Sequence, residues 1–221
     1  MHSVRFPGES AEYRARRDSL LQAEIELRRS IETVAAKRRE LPIGGEIPTD
    51  YEFSERGGKK VKLSALFAPG KNTLVIYSFM YGPEMKSACP SCTSILDGMD
   101  GQSDHVTQRV NFVVVAKSPI DRILAHAETR GWRKLRLLSS ENTTYNRDYQ
   151  GENAKGNQMP VLNVFVKRGD KVFHTYSTEL LFVPPESGQN GRHVDQIWPL
   201  WNLFDYTPDG RGADWHPKLS Y

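Results

Sequence analysis

The chain has only two cysteines in 221 residues, too few for the disulfide framework of a small secreted domain. It has no apolar run of the roughly 18 residues that a membrane span needs, and the segment from Met1 to Ser10 has no apolar signal core. A cytoplasmic location without membrane association is therefore expected. Charge of one sign is also scarce: 30 basic residues against 27 acidic leave a formal +3, too little to point to a nucleic-acid partner. There is no glycine-rich loop that would cradle a phosphate and no internal repeat, and no cofactor is expected. What is present, 38% hydrophobic and 26% charged residues, is the composition of a globular protein, long enough to bury a core without staples.

Scarcity makes the two cysteines conspicuous, because they stand two residues apart in Cys89-Pro90-Ser91-Cys92. A β-prone apolar run, Thr73 to Met80, leads to them, and a helix start, Thr93 to Leu96, follows. On a first helical turn, cysteines at i and i+3 face the same way and suit a disulfide with little backbone movement. With Cys89 as N-cap, Pro90 takes the first helical position, where its missing N–H is harmless. The Cys89 sulfur then meets the free N–H groups and the positive end of the helix dipole, and both favour thiolate. Cys92, one turn further in, is the protonated, resolving thiol. Zinc is the competing reading, since His105 follows Cys92 with twelve residues between them; Arg109 stands where a second histidine would be needed, and one CxxC supplies two of the usual four ligands. No metal site is expected. A third reading is a dithiol left over in a fold used for binding.

Around this centre the order of elements predicts an α/β protein. Residues 10 to 40 read as one charged helix capped by Ser10, with Leu20, Leu27, Ile31 and Val34 as a narrow apolar stripe and Glu12/Arg16 and Glu24/Arg28 as i,i+4 pairs. Residues 1–41 are thus expected as a helical extension and 42–221 as the main domain; the stripe suits packing on that domain or on a second subunit, as a homodimer. A turn at Arg56 to Lys60 separates two short strands. The aspartate-glycine pairs at Asp97-Gly98 and Asp100-Gly101 predict a break in the helix after the dithiol. Val110 to Ala116 is a buried strand, Pro119 to Arg130 a helix stopped by Gly131, Leu135 to Leu138 a strand, and Tyr145 to Tyr149 a short helix. Val161 to Lys167 and Lys171 to Ser177 flank Arg168-Gly169-Asp170 as a hairpin, and His193 to Phe204 reads as a last helix. Met159-Pro160 immediately precedes the hairpin, where proline is tolerated and a cis bond would be a deliberate feature.

Strand, CxxC at a helix start, βα unit, proline, hairpin and helix together resemble the thioredoxin fold. The resemblance implies a cis-proline that faces the dithiol and a neighbouring backbone that pairs with the substrate chain, roles that fall on Pro160 and Met159. Gly58 to Phe67, Val113 to Pro119 and Gly131 to Ser140 resemble the peroxiredoxin-like branch. More narrowly, Ala23 to Arg29, Val34 to Arg39, Phe79 to Pro83 with Cys89 to Cys92, Asp97 to Gly101, Val172 to Ser177 and Phe204 to Pro208 resemble the bacterial thioredoxin-like family called domain of unknown function 899. Peroxiredoxins carry Pro-x-x-x-Thr/Ser-x-x-Cys. Here Pro83 and Ser87 are in register, but Cys89 comes one residue early and Pro90 takes the expected position.

The remaining candidates have bland readings. Asp97, Asp100 and Asp104 lack calcium-loop spacing and are expected on a solvated helix face. His174 is expected as a core or surface histidine. Trp132, Trp198, Trp201 and Trp215 are expected in packing, and the basic runs Lys59 to Lys62 and Arg130 to Arg136 on the solvated surface. The sequence therefore predicts a thioredoxin-like mixed sheet flanked by helices, with a long N-terminal helical extension. Its function is expected to be thiol–disulfide exchange with a protein or small-molecule partner, by Cys89 and Cys92 with Pro90 and Ser91 as the supporting turn. Peroxide reduction and a non-catalytic binding or assembly role are the alternatives.

Overall fold

The computed structural model describes residues 4–187, 197–208, 212 and 215–219. The chain separates into two compact units, residues 1–42 and 43–221. The first is one helix, α1 (Ala11–Glu40), whose Ser10 cap accepts a hydrogen bond from the Tyr13 N–H at 3.1 Å. Glu12 in the first turn and Lys37, Arg38 and Arg39 in the last complement the helix dipole. Its ion pairs differ from those the i,i+4 spacing suggested. Arg14 pairs with both Glu9 and Asp18, Arg17 with Glu24 and Arg29 with Glu26, because long flexible side chains on an open surface reach several acids. No residue of α1 is buried, and Leu20, Leu27, Ile31 and Val34 are all exposed.

The second unit runs β1 (Glu52–Ser54), β2 (Lys60–Lys62), β3 (Thr73–Ser78), α2 (Pro90–Val106), β4 (Asn111–Ala116), α3 (Ile120–Arg130), β5 (Leu137–Ser139), α4 (Tyr145–Asp148), β6 (Val161–Arg168), β7 (Lys171–Ser177) and α5 (Pro199–Phe204). The strands form one mixed sheet in the order β2-β1-β5-β4-β3-β6-β7. β3, β4 and β5 are parallel, as strands joined by helical crossovers must be, and β6 lies antiparallel beside β3. Alternation along β3 divides the core. Leu74 and Ile76 join Phe53, Val113, Tyr145 and Phe165 on one face, whereas Tyr77 and Phe79 meet Leu96, Val114, Ile123 and Trp201 on the other. Because helices cover both faces, all six residues of β4 are buried. Among the described residues no helix is long and apolar enough to cross a membrane.

The break expected in α2 does not occur: the helix is continuous from Pro90 to Val106. Each interior glycine weakens a helix by about 1 kcal/mol, and tertiary bonds made by the neighbouring aspartates offset this. Asp97 accepts hydrogen bonds from Arg130 Nη2 at 2.6 Å and Trp132 Nε1 at 2.7 Å. One oxygen of Asp100 accepts the backbone N–H groups of Arg133, Lys134 and Leu135 at 2.8–3.0 Å. The same bonds explain why β5 starts at Leu137, later than expected, since the Leu135 N–H is already taken. They also move Asp97 and Asp100 from the solvated face expected for them to the junction of α2 with the turn after α3. That turn is closed by Gly131 at φ 72°, with the Trp132 N–H reaching Ala127 O at 3.0 Å. Asp97→Ala strands the indole N–H of the buried Trp132 and should lower stability by about 2–3 kcal/mol. Asp104→Ala removes only an exposed pair with Lys134 and should cost less than about 1 kcal/mol. Urea unfolding of the two variants checks the difference.

Two further boundaries shift. Pro119 is the residue before α3 rather than its first residue, and the last helix covers Pro199–Phe204, with residues 193–196 outside the described set.

Candidate functional site

The sulfurs sit where β3 hands over to α2. After Ser78 the chain leaves the ladder through a loop that Arg122 of α3 clamps. The guanidinium donates to Gly82 O at 3.1 Å, to Pro83 O at 2.9 Å and to Met85 O, and lies 4.4 Å from the centre of the Tyr81 ring. The Cys89 N–H then donates back to Met80 O at 3.1 Å. Cys89 is the N-cap and Pro90 the first helical residue, as the spacing required. The Cys92 N–H points at Cys89 Sγ at 3.5 Å. Both cysteines are free thiols; Cys89 is half-buried, and Cys92 is only 1% exposed.

The two thiols are driven apart electrostatically. Cys89 is held well below the ordinary cysteine range, at about 6. The largest cause is the Cys92 thiol, which donates a hydrogen bond to the Cys89 sulfur. Burial opposes it, and the N–H groups of Cys92 and Ser91 and the charge of His216 add to it. Cys92 is pushed well above that range, first by burial and then by the neighbouring Cys89 sulfur. Behind it lies the fully buried Tyr77 hydroxyl, which has no close hydrogen-bond partner. Its interaction with the Cys92 sulfur is a long, weak one that opposes the upward shift.

A second strand end is drawn to the same place. Val161 pairs with Ser78, so Met159 and Pro160, both partly exposed, continue past the end of β3 beside the dithiol loop. Gln158 packs on Gly82 so closely that a Cβ there would lie 2.9 Å from Gln158 Cγ. A buried chain of amides holds Gln158: Ser140 Oγ donates to Asn146 Oδ1 at 2.5 Å, and Asn146 Nδ2 donates to Gln158 Oε1 at 3.2 Å. Among the described residues no peptide bond is cis, so the cis state that the thioredoxin resemblance implies for Met159–Pro160 is corrected to trans. Pro160 directly precedes β6 and needs no N–H for the ladder, and the ordinary trans isomer meets that requirement.

Three contributors, His126, Tyr77 and His216, were not singled out in the sequence. Thr93 Oγ1 donates to Cys89 O at 2.9 Å and lies 3.2 Å from His126 Nε2. The Thr93 proton is committed to the carbonyl, so Nε2–H of His126 is the donor to Thr93. His126 packs among Phe79, Tyr81 and Trp132 with ring centres 5.4–5.8 Å apart. Burial, aided by Arg130, lowers its pKa and keeps it neutral. Its one sequence signal is a polar side chain adjoining the apolar Ile123/Ala127 face of α3. Tyr77 gave no signal within an apolar strand, and His216 gave none in an irregular tail. A cavity of about 390 Å³ adjoins the first turn of α2, between Pro90 and Thr93 on one side and Leu200, Trp215 and His216 on the other.

The other candidates do not assemble into sites. His105 stands in the last turn of α2, thirteen residues and about 20 Å of helix from Cys92, so it does not join the sulfurs. Ser87 and Pro83 are exposed on the loop. His174 is half-buried, with Nε2 2.9 Å from Asn163 Oδ1 on β6. Trp132, Trp198 and Trp201 are buried in the core on the dithiol side of the sheet. A larger hollow of about 1080 Å³ between α3 and the β1–β2 turn is lined by charged side chains such as Arg136, which is paired with Glu55 at 2.6 Å. No residue of the dithiol loop or of α2 lines it.

Fold and site together define a thioredoxin-like protein with a dithiol at the strand-to-helix junction. The sequence pattern of the family described as "Bacterial protein of unknown function (DUF899)" matches residues 3–221, and the chain belongs to that family. No curated protein matches the chain. Among solved structures it is similar to peroxidoxin BcpB from Mycobacterium tuberculosis, with 18% identity over 72% of this chain and 95% of that one and a TM-score of 0.48. Peroxiredoxin Q of Xanthomonas campestris shares 16% identity over 62% of this chain and 83% of its own, with a TM-score of 0.44. The exposed lipoprotein thioredoxin Etrx1 of Streptococcus pneumoniae shares 13% over 69% and 99%, with a TM-score of 0.43.

Proposed function

We propose that the chain is a thiol–disulfide oxidoreductase in which Cys89 is the nucleophile and Cys92 the resolving thiol. The observation that carries this reading is the asymmetry of the pair. The reachable sulfur is stabilised as thiolate, while the buried one keeps its proton and donates it in a hydrogen bond to the first. The Cys89 thiolate attacks one sulfur of a substrate disulfide. A Cys89–substrate disulfide forms, and the other substrate sulfur leaves as thiolate and takes up a proton. Cys92 then loses its proton and attacks Cys89 Sγ, which releases the second substrate thiol and leaves the Cys89–Cys92 disulfide. Two electrons pass from the dithiol to the substrate, and an external thiol reductant returns them. Pro90 and Ser91 form the turn that aims N–H groups at Cys89. The partly exposed backbone at Met159 and Pro160 is the surface along which an extended substrate chain would lie. A dithiol of this kind works in a reducing compartment such as the cytoplasm.

Peroxide reduction is the competing chemistry, and one comparison separates the two. Wild type should reduce a protein disulfide such as that of insulin in the presence of dithiothreitol, and consume hydrogen peroxide only slowly. Cys89→Ser should lose the disulfide activity by on the order of a thousandfold. Equal disulfide reduction by wild type and Cys89→Ser would sink the reading. Fast peroxide turnover that needs Cys89 but not Cys92 would replace it with a peroxidase, and inertness toward both would leave a binding module.

A further inference from the structure

The cavity beside the first turn of α2 has an unbalanced charge. Its inner wall is Pro90, Thr93 and Asp97, and its outer wall includes Trp215, His216 and Lys218. The outer wall is tied down. Arg130 Nη1 donates to Leu219 O at 3.4 Å, and the Trp215 ring packs edge-on against Trp201 and Phe204 at 5.7 and 5.2 Å. The acid of the cavity, Asp97, is already paired with Arg130 and accepts a hydrogen bond from the Trp132 indole. Lys218 has no ion pair among the described residues, and the charge of His216 acts on the Cys89 sulfur. Among the described residues, what is left over in this small space is therefore the positive charge of Lys218, next to apolar surface from Leu200, Trp215 and Pro217.

We propose that this cavity is the substrate subsite of the dithiol, and that it takes a small organic disulfide or thiol carrying an anionic group such as a carboxylate, with Lys218 as the recognising cation. The proposal rests on the dithiol reading above and adds the substrate class to it. A volume of about 390 Å³ is that of a small-ligand pocket; a folded domain would not enter it. An anion held at Lys218 keeps the substrate beside Pro90, one residue from the attacking sulfur. The positive potential that holds it also favours the leaving thiolate. The electron balance is that already given. Cys89 and Cys92 together supply two electrons, the substrate S–S bond breaks, and two substrate thiols leave.

The test is the single-turnover reaction of the fully reduced protein with two chromogenic disulfides, the dianionic dithiobis(nitrobenzoate) and the neutral dithiodipyridine, at low ionic strength. Three proteins are compared: wild type, Lys218→Glu, and Lys59→Glu, which makes the same charge change beside the edge strand β2. Lys218→Glu should slow the dianion about tenfold relative to the neutral reagent, while Lys59→Glu leaves that ratio near its wild-type value. The subsite is wrong if Lys218→Glu changes the ratio no more than Lys59→Glu does, or slows both reagents alike. If the neutral reagent fails to react at Cys89 in wild type, the dithiol reading itself falls and takes this proposal with it; a normal neutral reaction with no charge selectivity removes this proposal alone.

Discussion

Cys92→Ser is expected to stop the reaction at its first covalent stage. The variant keeps the nucleophile and the helix turn but removes the only thiol placed to displace the substrate. In the proposed reaction Cys92 attacks from one helical turn away, so its loss exchanges an intramolecular step for an intermolecular one, with a fall in turnover on the order of a hundredfold or more. The protein should accumulate with one substrate thiol attached at Cys89, visible as the added mass in intact-protein mass spectrometry and reversible with dithiothreitol. Wild type should form the internal disulfide instead, and Cys89→Ser should form no adduct. Wild-type turnover in Cys92→Ser would remove the resolving role, and an adduct on Cys92 in the Cys89→Ser protein would reverse the two roles.

The order of the two steps follows from the same contacts. While Cys89 is a thiolate, its sulfur accepts a hydrogen bond from the Cys92 thiol, and its charge adds to the burial that keeps Cys92 protonated. Once Cys89 is bound to substrate it is neutral, and both of those contributions vanish. Burial then opposes ionisation of Cys92 with the Tyr77 hydroxyl beside it as a counterweight. On the proposed mechanism the Cys92 thiol is thus released for attack by the event that gives it something to attack. The bond from Thr93 to the Cys89 carbonyl, backed by neutral His126, fixes the cap through both steps.

How far the sequence reached depended on whether a residue acts through its neighbours in the chain or through distant ones. The N-cap role of Cys89 and the N1 place of Pro90 are local: four consecutive residues and a preceding strand are enough to specify them. The alternation of β3, the αL stop at Gly131 and the β6–β7 hairpin are local in the same sense. The break expected in α2 was wrong because glycine propensity is local while the bonds from Asp97 and Asp100 span 33–35 residues. The largest influence on Cys89 was also assigned by a local rule, to the helix N–H groups and dipole, whereas the Cys92 thiol outweighs them. His126, Tyr77 and His216 come to the site from a second helix, a strand interior and the tail, and no periodicity or spacing connects them to Cys89.

Cys89 reactivity should show an unusually acidic midpoint. With its pKa at about 6, Cys89 is about 90% thiolate at pH 7, against about 3% for a free cysteine near 8.5, roughly a thirtyfold difference in the reactive form. The alkylation rate with iodoacetamide should therefore rise through about pH 6 and level off before pH 8. Cys92→Ala removes the largest cause of the shift and should move the midpoint upward. His216→Ala, which removes the last of the contributing causes, should move it less. The same shift makes folding pH-dependent. The folded state releases the Cys89 proton at lower pH than the unfolded chain does. This stabilisation is therefore full above the unfolded thiol value and is lost as pH falls through about 6. Cys92 acts in the opposite sense, because its raised pKa holds a proton that the unfolded chain gives up. Its contribution is full below the ordinary thiol range and is lost as pH rises above it. The urea midpoint of the reduced protein should climb from pH 6 toward the ordinary thiol range and turn down beyond it. The rising limb should flatten in Cys89→Ser, in which no thiolate forms at that position. A midpoint for alkylation near the free-cysteine value, or a rising limb unchanged in Cys89→Ser, would show that the helix turn does not hold Cys89 as a thiolate.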